Sequence, residues 1–424
     1  MRRILNDKIK QVETQYLNKT LKKMKKSLID TEAEIKRSNR NINDVSKSWG
    51  KKLIFIYKKL RLRSFFAFYK NPLHNFDDIT ISIKYTKVIN LEDNIMQWAA
   101  RTTNVKLPSE NQSTFETTDS EKKVFTLLLS IGFVTLLFAT FFDKNVTSAV
   151  MDQNSIFGNI FQNYADQGAE IVLFTAFEII AWTIWRRVQG NILKYVMTGG
   201  ALIFAFNQML AILQDMLSYT YSMLNNLSKG IPMGVANNTS AVANYPEPLR
   251  WSAAIILTIL LSFVFFNWLK DKNNAAISYL LNAALIGIAV VFIAQTTIGD
   301  MKALWGRFRP YEMTTISGNT MSEFTPWYHL NGVNGHNSFP SGHTMSGWLF
   351  LYLTFFVPRG NISLQKKMTI FGIAMGILTG LSRVRIGAHW LSDVTVSSML
   401  VGLIIFMASR LLTAHFVETR SSLN

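Results

Sequence analysis

The sequence predicts an all-α, polytopic transmembrane helix bundle, and three observations lead there. Hydrophobic residues make up 49% of the 424-residue chain and charged residues only 17%, a low charge content for a soluble protein. Eight apolar runs are each near the ~20 residues that cross a bilayer. The segments between those runs alternate in charge, as the loops of a membrane protein do. The chain has no cysteine, which excludes disulfides, thiol catalysis and cysteine metal sites.

From the N-terminus, residues 1–70 read as a basic, largely helical cytoplasmic segment. They hold 20 Lys and Arg against 6 Asp and Glu, so +14 of the chain's formal net charge of +17 sits there. Leu21, Leu28, Ile35, Ile42 and Trp49 recur every seven residues, with Leu17, Met24 and Val45 partly filling the second heptad position. Thr31 and Ser38 interrupt that second stripe, so the self-association expected of residues 17–49 is weak. From 51 to 70, aromatic and aliphatic residues interleave with Lys58, Lys59, Arg61 and Arg63, the pattern of a helix lying on an anionic inner leaflet. Nucleic acid is the competing partner for a basic arm, and tethering to a membrane span favours the lipid surface over it. No continuous apolar stretch opens the chain, so the first span is expected to act as its own uncleaved signal. Residues 71–123 are polar and mixed, a linker or a small element.

The apolar runs are 124–142, 171–185, 195–213, 251–269, 277–298, 342–357, 368–386 and 390–407. Residues 124–250 thus carry the N-terminal spans and outer loops, 251–415 the remaining spans, and 416–424 a cytoplasmic tail. Glu178 sits near the middle of its run, either as a functional carboxylate or as a neutral one bonded to a neighbouring helix. Arg186, Arg187, Lys194, Lys270, Lys272, Arg359, Lys366 and Lys367 fall in one set of loops. Asp143, Asp152 and Asp166 fall in the other, together with the Asn-rich segment 217–245, whose only basic residue is Lys229. That is a positive-inside pattern, with both termini cytoplasmic. It sends the ends of the last spans to one extracytoplasmic face.

Three stretches at those ends share a chemistry. Lys302 and Arg309-Pro310 put two cations seven residues apart, which on a continuous helix project from one face; a pair of interfacial anchors would look the same. Pro340-Ser341-Gly342-His343 opens an apolar run. Ser341 therefore reads as an N-cap, and the first-turn N–H groups as an anion site or simply a capped helix end. Ser382-Arg383 precedes His389 and Asp393, one helical turn apart, so the carboxylate can orient the ring and leave its other nitrogen free. Three cations, two imidazoles, a carboxylate and a helix N-terminus are the inventory of phosphoryl transfer. Arg307 and Arg385 lie alongside as accessory cations or as snorkelling side chains. His329, His336 and Glu323 share the same outer loop, but no further carboxylates accompany them and no metal site is expected.

The pattern Lys, six residues, Arg-Pro; Pro-Ser-Gly-His; Ser-Arg, five residues, His, three residues, Asp resembles the signature of the type 2 phosphatidic acid phosphatase superfamily, which also contains the vanadium-dependent haloperoxidases. Every signature position is matched between Lys302 and Asp393, and the resemblance spans roughly residues 251–411. It implies a six-helix phosphatase core, so that two of the eight spans are additional. It also implies His389 as the nucleophile, Asp393 as its partner and His343 as the acid and base. Lys302, Arg309, Ser341, Gly342 and Arg383 would hold the phosphate oxygens without a metal or other cofactor. The implied substrates are membrane lipid phosphates or diphosphates: undecaprenyl diphosphate, phosphatidylglycerophosphate, phosphatidic acid or lipid-linked sugar phosphates. Trp305, Trp327, Tyr328 and Trp348 would border a lipid access groove or form an interfacial belt. The soluble haloperoxidases fit eight spans poorly. A catalytically inactive lipid-phosphate-binding or transport protein of the same fold is the alternative. Such a protein is expected to lack one of His343, His389 or Arg383, and all three are present.

Overall fold

A computed structural model describes residues 118–235, 245–317 and 323–418. The basic segment 1–70, the heptad stripe within it and most of the 71–123 stretch lie outside the described residues. Among the described residues every regular element is helical: α1 (Asp119–Val150), α2 (Ile156–Tyr164), α3 (Gly168–Arg187), α4 (Asn191–Ser228), α5 (Glu247–Lys270), α6 (Asn274–Trp305), α7 (Pro310–Ser317), α8 (Gly342–Leu349), a 3₁₀ helix (Phe350–Phe356), α9 (Ile362–Arg385) and α10 (Leu391–Leu411). Local chemistry fixes several starts. Thr118, Asn273 and Asn361 cap α1, α6 and α9, each side chain accepting from the backbone N–H three residues on.

Among the described residues, seven stretches of helix are long and apolar enough to cross a membrane. Their outer faces carry side chains such as Phe133, Phe141, Ile259 and Phe263, all more than half exposed. A soluble helix would be polar there, so lipid is the solvent of this surface.

The eighth apolar run, 342–357, differs from a regular span: it is a short α-helix continued by a 3₁₀ helix. It nonetheless crosses the bundle. Gly342 lies beside the Lys302 ammonium near the end of α6, whereas Tyr352 packs on Gly287 and donates to the Ala283 carbonyl at 2.7 Å, towards the start of α6. Residues 344–352 are all buried. Irregular backbone is tolerated at membrane depth when protein surrounds it.

This central segment defines the core. Trp348, Leu349, Tyr352 and Phe355 pack against Val172 and Ile179 of α3, Val291 and Ala294 of α6, and Val401 and Ile405 of α10. Close approach depends on small residues, as is usual between helices in lipid. A Cβ on Gly372 of α9 would fall 2.3 Å from the Leu351 Cα, and one on Gly376 would fall 2.4 Å from the Trp348 indole. Any larger side chain at either position drives α9 away from the centre of the bundle.

The two ends of the bundle are held by different chemistry. At one end Glu121 pairs with Arg410 at 2.9 Å and with His415 at 2.8 Å. Arg186 there donates to the Leu269 and Lys272 carbonyls, satisfying acceptors at the C-terminus of α5. The opposite end collects the C-termini of α1, α6 and α9 and the N-termini of α3, α8 and α10. All three signature stretches lie at that end.

Candidate active site

Each site residue is delivered by the end of a helix. α6 stops at Gly306, which adopts the left-handed conformation (φ 51°) and returns its N–H to the Lys302 carbonyl. A Cβ there would sit 2.1 Å from the Gly332 carbonyl oxygen, so the tight reversal requires glycine. This corrects the continuous-helix expectation for Lys302 and Arg309. Lys302 is on the last turn of α6 and Arg309 lies beyond the reversal, held by its own N–H to Glu312 (2.9 Å) and by its guanidinium to the Tyr311 hydroxyl (2.9 Å). The two cations converge through the turn and not through helical periodicity.

Ser341 caps α8 as the sequence predicts, its hydroxyl accepting from Thr344 N at 3.3 Å. A Cβ on its neighbour Gly342 would fall 3.1 Å from the Lys302 ammonium, so the start of α8 lies beside that cation. Arg383, in the last turn of α9, is 3% exposed and donates to Gln162 at 2.7 Å. Its Nε is buried with no hydrogen-bond partner among the described residues. Lys302, Arg309 and Arg383 all act electrostatically on both His343 and His389. The three stretches therefore form one cluster.

His389 and Asp393 meet, but not along a helix. α10 begins at Leu391, so His389 precedes the N-cap Trp390. Its Nδ1 stands 3.5 Å from Asp393 Oδ2, an ion-pair distance longer than a close hydrogen bond. Burial first, and then the charges of Arg309, Arg383 and Lys302, push the His389 imidazole well below its usual 6.5. These influences favour the neutral ring, which has a lone pair available.

What fixes Asp393 is a network that spacing does not reveal. Arg307 is fully buried; its Nη1 donates to Asp393 Oδ1 at 2.5 Å and to Ser392 Oγ at 2.7 Å, and its Nη2 donates to Asp143 Oδ2 at 3.0 Å. The other Asp393 oxygen accepts from Ser338 Oγ at 2.5 Å and Trp390 N at 3.0 Å. Asp143, read from sequence as an outer-loop charge, is instead a buried residue of α1 that accepts from Ser392 N at 2.9 Å. Arg307 is thus the anchor of the carboxylate and not an accessory phosphate ligand. Arg385 is not one either: it pairs with Asp152 at 2.8 Å and holds the Val150 carbonyl at the end of α1.

Sequence reasoning also missed Asp166 and Tyr219. Both approach His343 Nε2 at 3.1 Å, from the turn before α3 and from α4. The tryptophans divide. Trp305 stacks on Phe339 and donates to the Trp327 carbonyl, and Trp327 donates to Thr140, so this pair braces the loop before Pro340. Trp348 belongs to the core, while Tyr328 is exposed. His336 stacks on Phe308 and contacts Glu312 at 3.2 Å. The described residues contain no group of three or more His, Asp or Glu placed to hold a metal ion. An apolar trough of about 650 Å³ runs between α1, α9 and α10, past Phe125, Ile373 and Met399, and contains none of the signature residues.

Residues 275–416 match the model of the PAP2 superfamily. Phosphatidylglycerophosphatase B of Haemophilus influenzae is 30% identical over 186 residues, which cover 37% of this chain and 73% of that protein. The chain belongs to the PAP2 superfamily. Its similarity to the lipid A 4'-phosphatase of Rhizobium etli is 37% identity over 141 residues, covering 32% of this chain and 52% of the relative. An acid phosphatase of Zymomonas mobilis is 34% identical over 98 residues, 23% of this chain and 32% of that protein. No solved structure matches. In PAP2 terms, the matched region runs from the start of α6 to just past α10 and takes in every signature residue. Asp143, Asp166 and Tyr219 lie outside it.

Removing one partner from a buried ion-pair network costs roughly 3–5 kcal/mol, because the remaining charges are left unpaired. Arg307→Met should therefore lower the melting temperature of the detergent-purified protein substantially, and Arg307→Lys should not restore it, since an ammonium cannot bridge two carboxylates in a planar fork. Both effects are read by thermal unfolding. A wild-type melting curve for Arg307→Met would refute the anchoring role.

Proposed function

We propose that this protein is an integral-membrane lipid phosphatase that hydrolyses a phosphomonoester or diphosphate of a membrane lipid through a phosphohistidine. The carrying observation is the convergence of Lys302, Arg309 and Arg383 on two histidines, with the buried Arg383 Nε lacking an acceptor among the described residues. A buried unpaired donor costs about 1–3 kcal/mol, and a phosphate oxygen would satisfy it. PAP2 membership and the phosphatase names of the relatives support the same class.

The chemistry follows from the groups. Neutral His389 attacks phosphorus, forming a P–N bond as the bond to the lipid oxygen breaks. Asp393, held by Arg307, stabilises the positive ring that results. His343 gives its proton to the departing oxygen and then removes one from the water that releases phosphate. Lys302, Arg309 and Arg383, with Ser341 and the Gly342 N–H, hold the equatorial oxygens. Three fixed cations supply the charge stabilisation that a metal gives elsewhere, so the reaction is proposed to be metal-independent.

Loop charge supports an extracytoplasmic site. There the head of a lipid phosphate is in water and its tail lies among the helices. The relatives' names point to phosphatidylglycerophosphate or a phosphorylated lipid A as substrate types. The signature itself is equally compatible with undecaprenyl diphosphate or phosphatidic acid.

Phosphate release by detergent-purified protein, across a panel of lipid phosphates and diphosphates, tests this reading. Activity should persist in EDTA and be blocked by vanadate, and Arg383→Ala should lower kcat by ~10²–10³-fold. Activity lost in EDTA and restored by Mg²⁺ would overturn metal independence, and no release from any substrate would overturn the phosphatase reading. Sidedness is tested in this cysteine-free chain with single cysteines at Val333, 84% exposed near the site, and at Ser363, near the start of α9. An impermeant thiol reagent applied to intact cells should label the first and spare the second. The reverse pattern would put the site in the cytoplasm.

A further inference from the structure

We propose that Asp166 and Tyr219 are positioning residues that form a second histidine–carboxylate pair with His343, fixing Nε2 so that Nδ1 serves as the acid towards the leaving oxygen. The inference rests on the phosphatase reading and extends it to residues outside the region matched by the family model.

The geometry is specific. Asp166 Oδ2 and the Tyr219 hydroxyl each lie 3.1 Å from His343 Nε2, and the Tyr219 ring meets the imidazole edge-on, with centroids 5.8 Å apart and an interplanar angle of 73°. Asp166 is held rigidly against the helix that carries His343. Ser346, one turn further along α8, donates its hydroxyl to the Asp166 carbonyl at 3.0 Å and accepts from Ala169 N at 3.2 Å. A Cβ on Gly168 would fall 1.9 Å from the Ser346 carbonyl oxygen. The turn before α3 therefore approaches α8 as closely as backbone can.

Charge explains why the pair is needed. His343 faces Lys302 from α6, Arg309 from before α7, Arg383 from α9 and His389 from before α10. A protonated imidazole among three cations requires a nearby acceptor, and the Asp166 carboxylate, 3.1 Å from Nε2, is placed to stabilise it. Orientation of an acid–base histidine by a carboxylate is the same device that Asp393 provides for His389. In the step itself, the Nδ1 proton passes to the lipid oxygen as its bond to phosphorus breaks, while the Nε2 proton stays on the Asp166 hydrogen bond. The freed Nδ1 lone pair then takes a proton from the attacking water.

Asp166→Asn preserves shape and removes the charge, and its turnover is compared on two substrates, a lipid alkyl phosphate and p-nitrophenyl phosphate. General acid catalysis typically contributes 10²–10⁴-fold. The expected result is a fall of about 10–100-fold in kcat for the alkyl phosphate, a much smaller fall for the aryl phosphate, whose leaving group needs little protonation, and little change in KM. Asp166→Glu should recover part of the loss. Tyr219→Phe should give the same substrate-selective pattern with a smaller amplitude, and it keeps the test decisive if Asp166→Asn melts at a lower temperature. Equal losses on both substrates in both variants would show a purely structural role. A rise in turnover would show that the carboxylate blocks the anion site, and either result overturns the proposal. Wild type inactive on both substrates would instead overturn the phosphatase reading. If wild type is active and His343→Ala is leaving-group sensitive while Asp166→Asn is not, only this inference fails.

Discussion

The guanidinium of Arg307 is the point on which the site depends. It is fully buried between two carboxylates, Asp143 and Asp393, in a protein whose surroundings are lipid. Charges removed from water are costly unless every donor and acceptor is matched. The network is closed: Arg307 Nε donates to the Thr325 carbonyl, Ser392 is shared with Asp143, and Ser338 and Trp390 N complete Asp393. Closing it ties α1, the turn after α6, the loop before α8 and the start of α10 together. His389 is neighbour to that assembly and inherits its position.

Around this anchor the bundle works as a holder of helix ends. Alternation of direction puts the C-termini of α6 and α9 and the N-termini of α8 and α10 at one face, which brings Lys302, Arg383, Ser341 and His389 together from distant parts of the chain. The close approach of α9 to the 3₁₀ helix at Gly372 and to α8 at Gly376 holds the helix that ends at Arg383 against the segment that begins beside His343. Low polarity in the surrounding protein strengthens the pull of three cations on an anion. Burial, and then the same cations, disfavour protonation of His389.

Much of this was legible in the sequence, for different reasons in different places. Hydropathy located the spans because lipid demands long apolar runs, and it found even the 342–357 crossing, although period and length alone do not reveal a 3₁₀ continuation. The signature residues were legible because their types and order are unusual in apolar surroundings. Their local geometry was not. Gly306 breaks the helix assumed between Lys302 and Arg309, and α10 starts only after His389. Asp143 and Asp166 were read as outer-loop charges, since hydropathy scores a buried paired carboxylate and an exposed one alike. The partners lie far apart in sequence, 164 residues for Asp143 with Arg307 and 249 for Asp143 with Ser392, so no spacing rule links them. Arg307 carried a weak signal, a second arginine two residues from Arg309 just after a glycine.

The central claim is that the cluster of cations serves a nucleophilic His389. Rapid acid quench of the purified protein with phosphate-labelled lipid substrate, followed by peptide mapping under alkaline conditions, tests it most directly. The account predicts acid-labile phosphate on His389 during turnover and none in His389→Ala. Label on His343, or turnover by wild type with no label on any histidine, would contradict it.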